Sequence, residues 1–594
     1  MFVKETKVKR SGREYVYLQL VDGYRDENGR VKHRVVANLG RKDALKESGQ
    51  LEALAGSFAR LDPPMAGTRR SVGPLLLVEH FLRELAVKDT VDGALPRSAR
   101  SILSVGEVVC ALVASRLCSP SPLYDIAGWA SGAAVHELLG IPPALLNDDR
   151  LGRALERFAV YAEDLRSRVA ATAIERFGVD AGRLHVDLTT VGVSGAYEDS
   201  ALIAKGWASD RRVARQVRTL QASTADGTVL YSRPDPGNAA ELTLVGASLE
   251  RLLAVSGPGL LIVCDSAMGQ PKTMREIDQA GVRFVVPLRA SGGFRERFLA
   301  DAGHQALRAV RYLPEREAKL AVSERTRFKG VLRDWEIPGN EQHPPLRLRV
   351  AYIHSSEEAA QVADARDRAL VKAEDALERI RNGLGGRYYK TREQVERRIG
   401  QIIGVNITGL IDVTVTTSRA GKLTVAWQRN QPAIDTARSF DGIYALATNL
   451  PGRLSAGQVL RLYKDQQIVE RRHRDMKQTL KVRPIFLHND DRVYALLSIV
   501  GISLLIFGLI EARTRAALGE NQQLPGLLPE GRAARPTGRN ILTTFQGVGL
   551  TYTHTGIQLD RLTDTQQHIL DLLGIQSPWP TQADHALTSR GKWG

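Results

Sequence analysis

Apolar residues recur along this chain with two periods, and each period predicts a different kind of element. Alternating apolar and polar positions in YVYLQLV and VKHRVVANLG predict a β-hairpin near the N-terminus. Apolar recurrence at three and four residues between about 72 and 180 predicts a compact set of helices. From 183 to about 290, short apolar strands alternate with helices. This order predicts a mixed α/β sheet flanked by crossing helices.

An insertion interrupts this predicted sheet. Ala363, Leu370, Leu377 and Leu384 repeat every seven residues and predict a long helix. TREQVERRIGQII follows as the second arm of a helical hairpin, strand-like segments flank the pair, and IYALATN resumes the sheet. We therefore divide the chain into a small basic β unit (1–60), a helical region (61–180), the first part of an α/β core (181–290), the insertion (291–440), the second part of the core (441–515) and a partly irregular tail (516–594).

One apolar run could be a membrane span or a buried core helix. VYALLSIVGISLLIFGLI, residues 493–510, carries no charge and is about as long as the shortest spans. Polar and small residues interrupt it, and it stands alone in a charged chain. We expect a buried core helix and no membrane partner.

Charge and cysteine content narrow the partner and the compartment. Lysine and arginine number 82 against 66 acids, which gives a formal net charge of +16. Such a surplus favours a polyanion partner, most simply nucleic acid, although a basic proteome background is the alternative. We expect the helical region (61–180) to bind DNA, and the basic β unit (1–60) either to contact DNA or to present a solvated hairpin face. The three cysteines are widely spread and form no metal or disulfide pattern. With a charged N-terminus that is not a signal peptide, these features favour the cytoplasm.

The segment LRLYKDQQIVERRHRDMKQTL carries the strongest chemical pattern in the chain. On a continuous helix, one face would hold Tyr463, Gln466, Glu470, Arg474 and Lys477. A neighbouring stripe would hold Leu462, Val469, Met476 and Leu480. The segment thus predicts a carboxylate surrounded by a phenol, an amide and cations. The surrounding cations would suit a phosphate backbone: Lys464, Arg471, Arg472, Arg474 and Lys477.

Two upstream aspartates complete a predicted metal site. Asp187 follows RLHV, and Asp265 ends LLIVCD, so both are expected at or near the carboxyl ends of strands. Each alone could be a helix cap. Together with Glu470 they offer three hard oxygen ligands, which suit Mg²⁺ or Mn²⁺. Two such ions can activate a nucleophilic oxygen and stabilise the leaving oxygen of a phosphodiester.

At these residues the chain resembles the DDE transposases of bacterial insertion sequences, nearest to the insertion-sequence-four superfamily. HVDLTTV, VCDSAM, DGIYALATNL and YKDQQIVERRHRDMK carry the resemblance. It implies an RNase H-like α/β fold with Asp187, Asp265 and Glu470 as catalytic metal ligands. The family signature is Tyr, Arg, Glu and Lys. Tyr463, Glu470 and Lys477 match it, whereas Gln466 stands where arginine is typical and is expected to contact a DNA phosphate without charge.

The resemblance also implies partners and a reaction. The expected DNA partners are the terminal inverted repeats of the element and the target DNA, bound by at least a dimer near the nucleoid. The expected reaction is end cleavage followed by strand transfer. Two alternatives stay open, a catalytically silent DNA-binding protein derived from a transposase and a metal-dependent nuclease without strand transfer. His185 and His473 are expected to be structural, and Trp335 and Trp427 are core residues or base-stacking candidates.

Overall fold

The computed structural model describes residues 2–10, 13–25, 31–48, 50, 67–97, 101–207, 213–289, 293–341, 343–404, 407–419, 421–483, 485–519 and 522–581. The chain forms two compact units. The first contains residues 1–257 and 467–594, and the second contains residues 258–466. We describe each unit separately.

The first unit begins with a three-stranded antiparallel sheet. Its strands are β1 (Phe2–Arg10), β2 (Arg13–Arg25) and β3 (Val31–Arg41). The hairpin β2–β3 confirms the β-hairpin that the alternating pattern predicted. Strand β1 was not predicted from the sequence. A short helix α1 (Lys42–Glu47) follows. Residues 51–66, which include the end of the predicted β unit, lie outside the described residues.

Helices dominate the next part of the first unit, as the apolar recurrence predicted. They are α2 (Leu75–Glu84), α3 (Val87–Ala94), α4 (Val105–Cys118), α5 (Ile126–Gly132), α6 (Val135–Leu139), α7 (Asp148–Ala159) and α8 (Ala162–Phe177). Capping fixes where several of these helices start. Ser104 and Glu107 form a reciprocal capping box at α4, and the Asn147 side chain accepts from Arg150 N at α7.

Antiparallel strands then carry the first candidate carboxylate. They are β5 (Arg183–Gly192), β6 (Ala204–Trp207), β7 (Val213–Thr224) and β8 (Val229–Pro236), after the short β4 (Arg69–Ser71). Strand β7 pairs with β5, β6 and β8. Helix α9 (Glu241–Ser256) follows.

The second unit holds a mixed sheet in the order β11, β12, β13, β16, β10, β9. Its strands are β9 (Leu261–Val263), β10 (Arg283–Leu288), β11 (Arg308–Val310), β12 (Phe328–Ile337), β13 (Leu346–Ser355) and β16 (Ile443–Thr448). The β9–β10 pair is parallel and the others are antiparallel. The predicted mixed α/β sheet is confirmed. Strands β11 to β13 fall within the range that the sequence reading gave to the insertion, yet they join this sheet.

Helices α10 (Pro271–Gln279) and α11 (Phe294–Asp301) accompany this sheet, and a separate apolar cluster forms within the range of the insertion. It joins the long helix α12 (Ser356–Asn382), α13 (Arg392–Ile402), α14 (Gln431–Ser439) and the hairpin β14 (Ile411–Thr417) with β15 (Leu423–Arg429). Leu370, Leu377 and Ile380 are buried in this cluster with Val395 of α13. The predicted heptad seam and helical hairpin are therefore confirmed.

The predicted single helix around Glu470 is interrupted. Helix α15 (Ala456–Lys464) ends in a turn at Asp465 and Gln466, α16 (Gln467–Arg474) starts afresh, and a π-helical turn (Asp475–Thr479) follows. The expectation of one continuous face from Tyr463 to Lys477 is therefore wrong. The break has an electrostatic consequence. Glu470 lies in the first turn of α16, where the helix dipole favours a negative charge.

The uncharged run forms part of one long helix, α17 (Asp490–Leu518). It is long and apolar enough to cross a membrane, but it is buried along most of its length among α4, α7, α8 and β8 of the first unit. This burial confirms the expectation of a core helix.

The C-terminal tail is more ordered than its composition predicted. It contains α18 (Gly538–Thr544), β17 (Gly549–Thr553), β18 (Gly556–Leu559) and α19 (Asp564–Leu573). Strand β17 pairs with both β18 and β4, so residues more than 470 positions apart share one sheet. The prediction of a partly irregular tail is confirmed for the stretches between these elements, such as 560–563 and 574–580.

Candidate functional site

Asp187 lies in the middle of β5, opposite Gln221 of β7. The expectation that it marks a strand end is wrong, because β5 continues to Gly192. Its side chain is 19% exposed, and its Oδ1 accepts a hydrogen bond from Leu188 N at 2.8 Å. The strand thus holds a largely buried carboxylate in a fixed place.

We call residues 460–480, LRLYKDQQIVERRHRDMKQTL, the signature segment. Two of its residues lie beside Asp187 in the first unit. His473 Nδ1 is 3.6 Å from Asp187 Oδ2, although the sequence predicted only a structural role for this histidine. Burial, aided by Lys477, lowers the pKa of His473 to about 3, so the imidazole is neutral. Burial and Arg483 lower the pKa of Lys477, while Asp187 acts in the opposite direction. A neutral ring and a half-buried cation therefore flank this carboxylate.

Glu470 and Arg474 are exposed on α16, whereas Val469 is buried beneath them. Helix α16, which starts after the break, is thus amphipathic, as the sequence predicted. Met476 continues the buried side into the π-helical turn and accepts a contact from Gln221 Nε2 at 3.1 Å. This contact and the Asp187–Gln221 register tie the turn that carries Lys477 to the strand that carries Asp187.

Three of the five cations predicted to face phosphate are used inside the protein. Arg472 is fully buried and pairs with Glu511 and Asp475, each at 3.0 Å. Arg471 also pairs with Glu511, at 3.2 Å, and Lys464 pairs with Glu358 at 2.9 Å. The predicted phosphate role is wrong for Arg472, which is fully buried, whereas the ion pairs of Arg471 and Lys464 compete with such a contact. The sequence signal for Glu511 was a single acid placed directly after an uncharged 18-residue run.

Asp265 belongs to the second unit and lies two residues beyond β9, which confirms its predicted place after a strand. The backbone turns at this point. Met268 N donates to the Asp265 carbonyl at 3.2 Å, and a 3₁₀ turn covers Ser266–Met268. The last interstrand bond before the turn runs from Cys264 N to the Val285 carbonyl, at 3.2 Å.

Gln466 packs against this same turn. The residue is only 8% exposed. With the amide oriented to match donors to acceptors, Nε2 lies 3.0 Å from the Cys264 carbonyl oxygen and Oε1 lies 3.2 Å from Asp265 N. Both atoms belong to one peptide group, so the side-chain amide lies against the Cys264–Asp265 peptide. The amide is buried against backbone, which argues against the predicted contact between Gln466 and a DNA phosphate.

Tyr463, at the end of α15, is partly buried against the apolar cluster of Val263, Val459 and Leu460. The two tryptophans of the second unit are also partly buried, each with a guanidinium over its ring. Arg297 lies 5.0 Å from the centroid of Trp335, and Arg381 lies 5.0 Å from that of Trp427. Trp427 packs against the core of the insertion, which favours the core interpretation for this residue.

His185 is buried on β5, and neither ring nitrogen has a hydrogen-bond partner among the described residues. Burial lowers its pKa to about 4, so the ring is neutral. The expectation of a core histidine is confirmed. Its polar atoms, however, are not satisfied by the surrounding protein.

The candidate ligands have the chemistry of a hard-cation site. Asp187, Asp265 and Glu470 supply only carboxylate oxygens, and the neutral His473 adds no charge beside Asp187. Among the residues that the structure describes, no three His, Cys, Asp or Glu side chains are gathered in a group that could hold a metal ion. Joint ligation by the three acids therefore stays a prediction.

Comparison with protein families gives three matches in chain order. The N-terminal domain of IS1634 family transposases matches residues 3–64, a domain of unknown function (DUF4277) matches residues 68–170, and the transposase DDE domain matches residues 181–506. The last covers more than half of the chain and contains Asp187, Asp265 and Glu470. DDE transposase domains use divalent metal ions.

Comparison with curated proteins gives no match. Among solved structures, the chain is similar to the crystal structure of a pre-cleavage Mos1 transpososome, at 11% identity and a TM-score of 0.13. The alignment covers 32% of this chain and 61% of that chain, so this chain spans less than two thirds of the transposase it matches.

Proposed function

Because the chain belongs to the DDE transposases of insertion sequences, we propose that it cuts the ends of its own element and joins the freed 3′ ends to target DNA. The +16 charge supports a DNA partner. The terminal inverted repeats are the DNA that it recognises, and the target is the DNA that it attacks. Recognition of two ends requires at least a dimer in the DNA complex, acting at the nucleoid in the cytoplasm.

The proposed catalytic residues are Asp187, Asp265 and Glu470, which together would hold Mg²⁺ or Mn²⁺, two ions in the active complex. Such ions, when bound, activate the attacking oxygen and stabilise the leaving oxygen of a phosphodiester. Strand β5 fixes the Asp187 carboxylate through its backbone and through the bond from Leu188 N. Glu470 lies exposed in the first turn of α16.

The remaining signature residues would position DNA. Lys477 lies near Asp187 and is half-buried, so its charge acts on a phosphate in a partly desolvated place. Arg474 is exposed one turn after Glu470 and suits a bidentate grip on a phosphate. Tyr463 can donate its hydroxyl to a phosphate oxygen. Gln466 supports the backbone at Asp265 and makes no DNA contact.

We assign end recognition to the N-terminal regions, 1–60 and 61–180, and chemistry to the core within 181–515. The family matches to separate N-terminal domains support this division. Binding and cleavage should therefore be separable by mutation.

The observation that carries this proposal is the contact of the signature segment with Asp187. His473 and Lys477 come from the segment of Glu470, and both lie beside the carboxylate of a strand almost 300 residues earlier. A plain surface helix would not require a half-buried lysine next to a largely buried aspartate.

The test uses full-length protein and the DNA that flanks its own coding sequence. End duplexes with Mg²⁺ should be cut at the element boundary, and pre-cut, labelled ends should be joined to a supercoiled plasmid. Binding without any cutting would overturn the catalytic proposal. Cutting without joining would overturn strand transfer and favour a nuclease.

A further inference from the structure

A buried charge cluster lies directly behind Glu470 in the first unit, and its centre is Glu511 of α17. The Glu511 side chain is 1% exposed. Its Oε2 accepts from Arg472 Nη1 and from Gly538 N, both at 3.0 Å. Its Oε1 is in ion-pair contact with Arg515 Nη1 at 2.7 Å and with Arg471 Nη2 at 3.2 Å. One carboxylate thus joins α16, α17 and the start of α18.

Arg472 is the member of this cluster that holds α16. It lies two residues after Glu470 and is fully buried. Its Nε donates to the Gly227 carbonyl at 2.6 Å, its Nη1 contacts Asp475 at 3.0 Å, and its guanidinium lies 5.4 Å from the ring of Phe507. The side chain is therefore fixed by the β7–β8 turn on one side and by α17 on the other.

Gly227 makes room for this arrangement. Its φ is +89°, and a Cβ built there would lie 2.7 Å from Arg472 Nη2. A larger residue would strain the turn and displace the guanidinium. The hairpin turn, the arginine and the glutamate therefore fit each other as one unit.

The cluster is a costly way to attach a helix, because buried charges lose hydration that their pairing only partly returns. An apolar contact would attach α16 at lower cost but with less directional control. The paired charges constrain rotation and translation of α16 through fixed donor and acceptor directions. Glu470 lies on the exposed side of this constrained helix.

We propose that Glu511 is a positioning residue for the reaction: through Arg472 and Arg471 it fixes the orientation of α16 and so the place of the Glu470 carboxylate. Through Gly538 N it also makes the start of the C-terminal elements part of this support. The proposal rests on the proposed role of Glu470 as a metal ligand. It adds a residue that touches neither DNA nor metal.

The central test compares Glu511→Gln with Glu156→Gln. Glu156 of α7 pairs at 2.9 Å with Arg492, which belongs to α17 as Glu511 does, but this pair is partly exposed. Glu511→Gln should slow end cleavage by about 100-fold, the effect of displacing a reacting group by about 1 Å. Its affinity for end DNA should change less than about twofold. Glu156→Gln should leave both quantities near wild type.

Hydrogen exchange supplies a readout that does not depend on activity. In Glu511→Gln, the amides of 467–474 should exchange faster, while those of β5 and β7 keep their protection. Wild-type cleavage by Glu511→Gln would overturn the proposal, and so would unchanged exchange in 467–474.

A double variant separates positioning from plain stabilisation. Arg472→Met with Glu511→Leu replaces the buried pair by apolar side chains, which commonly preserves stability. The double variant also tests the proposal if Glu511→Gln does not fold. Recovered thermal stability with slow cleavage supports positioning, whereas recovery of both would overturn it. Glu470→Gln distinguishes the two proposals: if it cuts normally, the role of Glu470 fails; if it is inactive and Glu511→Gln cuts normally, only the positioning role fails.

Discussion

The side-chain amide of Gln466 lies against the peptide group that joins Cys264 to Asp265. Its Oε1 is 3.2 Å from Asp265 N, and its Nε2 is 3.0 Å from the Cys264 carbonyl oxygen. At this signature position the family typically has an arginine. The amide suits the place because it presents both an acceptor and a donor to a peptide, whereas a guanidinium has no acceptor. The departure from the family signature therefore has a structural reason.

Gln466→Arg should destabilise the protein and should not tighten its DNA complexes. A guanidinium there would be buried without an acceptor for Asp265 N, at a cost of about 1–3 kcal/mol. Urea unfolding measures this cost, and gel-shift titration of pre-cut ends measures binding. Gln467→Arg is the matched control, because it adds the same charge at the exposed neighbouring position. Tighter end binding by Gln466→Arg, with unchanged stability, would contradict the buried role.

Asp187→Ala, Asp265→Ala and Glu470→Ala should each abolish end cleavage and leave end binding largely intact. Each change removes one proposed oxygen ligand, whereas end recognition is assigned to residues 1–180. Cleavage of end duplexes in Mg²⁺ and gel shifts in EDTA measure the two properties. Asp199→Ala, a change at an exposed acid of the first unit, is the control. A Glu470→Ala protein that still cut its ends would show that the ligand assignment is wrong.

The salt dependence of end binding should distinguish the cations of the signature segment that contact phosphate from those that do not. Release of counterions makes the logarithm of the affinity fall linearly with the logarithm of salt concentration. Arg474→Ala and Lys477→Ala should each reduce the slope by about 1, the loss of one phosphate contact. Lys464→Ala should leave the slope unchanged, because Lys464 pairs with Glu358 at 2.9 Å. Equal slopes for all four proteins would exclude Arg474 and Lys477 as phosphate contacts.

Glu511 should make stability depend on pH in a defined direction. Burial by itself raises the pKa of Glu511, but Arg472, Arg471 and Arg515 outweigh it and hold the pKa below the ordinary 4.5. A lowered folded pKa stabilises the protein above the unfolded value, and this contribution is lost as the pH falls through the folded value. At pH 7, Glu511→Gln should cost about 3–5 kcal/mol, because it leaves buried guanidiniums without their partner.

The difference in unfolding free energy between wild type and Glu511→Gln should therefore be constant above about pH 6 and should shrink below pH 4.5. Urea unfolding at a series of pH values measures it. Glu156→Gln should show a small difference that varies little with pH, since that pair is partly exposed. A difference that grew towards low pH would contradict the assigned pKa direction.

The sequence determined the elements wherever one periodicity extended over many residues. The heptad seam of α12 was predicted because burial of one face leaves a repeating pattern. The uncharged run of α17 and the short apolar strand before Asp265 were predicted because burial on all sides leaves an uninterrupted apolar run. The three acids and the signature were likewise readable, because their residue types and spacing carry the family resemblance. These features depend on local order along the chain.

Only the tertiary structure decided which polar residues of the signature segment face inwards. Periodicity placed Gln466, Arg472 and Glu470 on or near one helix without revealing the turn at Asp465 and Gln466 that resets the helical phase. It could not reveal that Glu511, 39 residues after Arg472, neutralises the buried arginine. From a sequence alone, a charged residue is expected to be exposed. Whether it is buried depends on a partner that folding brings from a distant part of the chain, because a buried charge is stable only when it is paired.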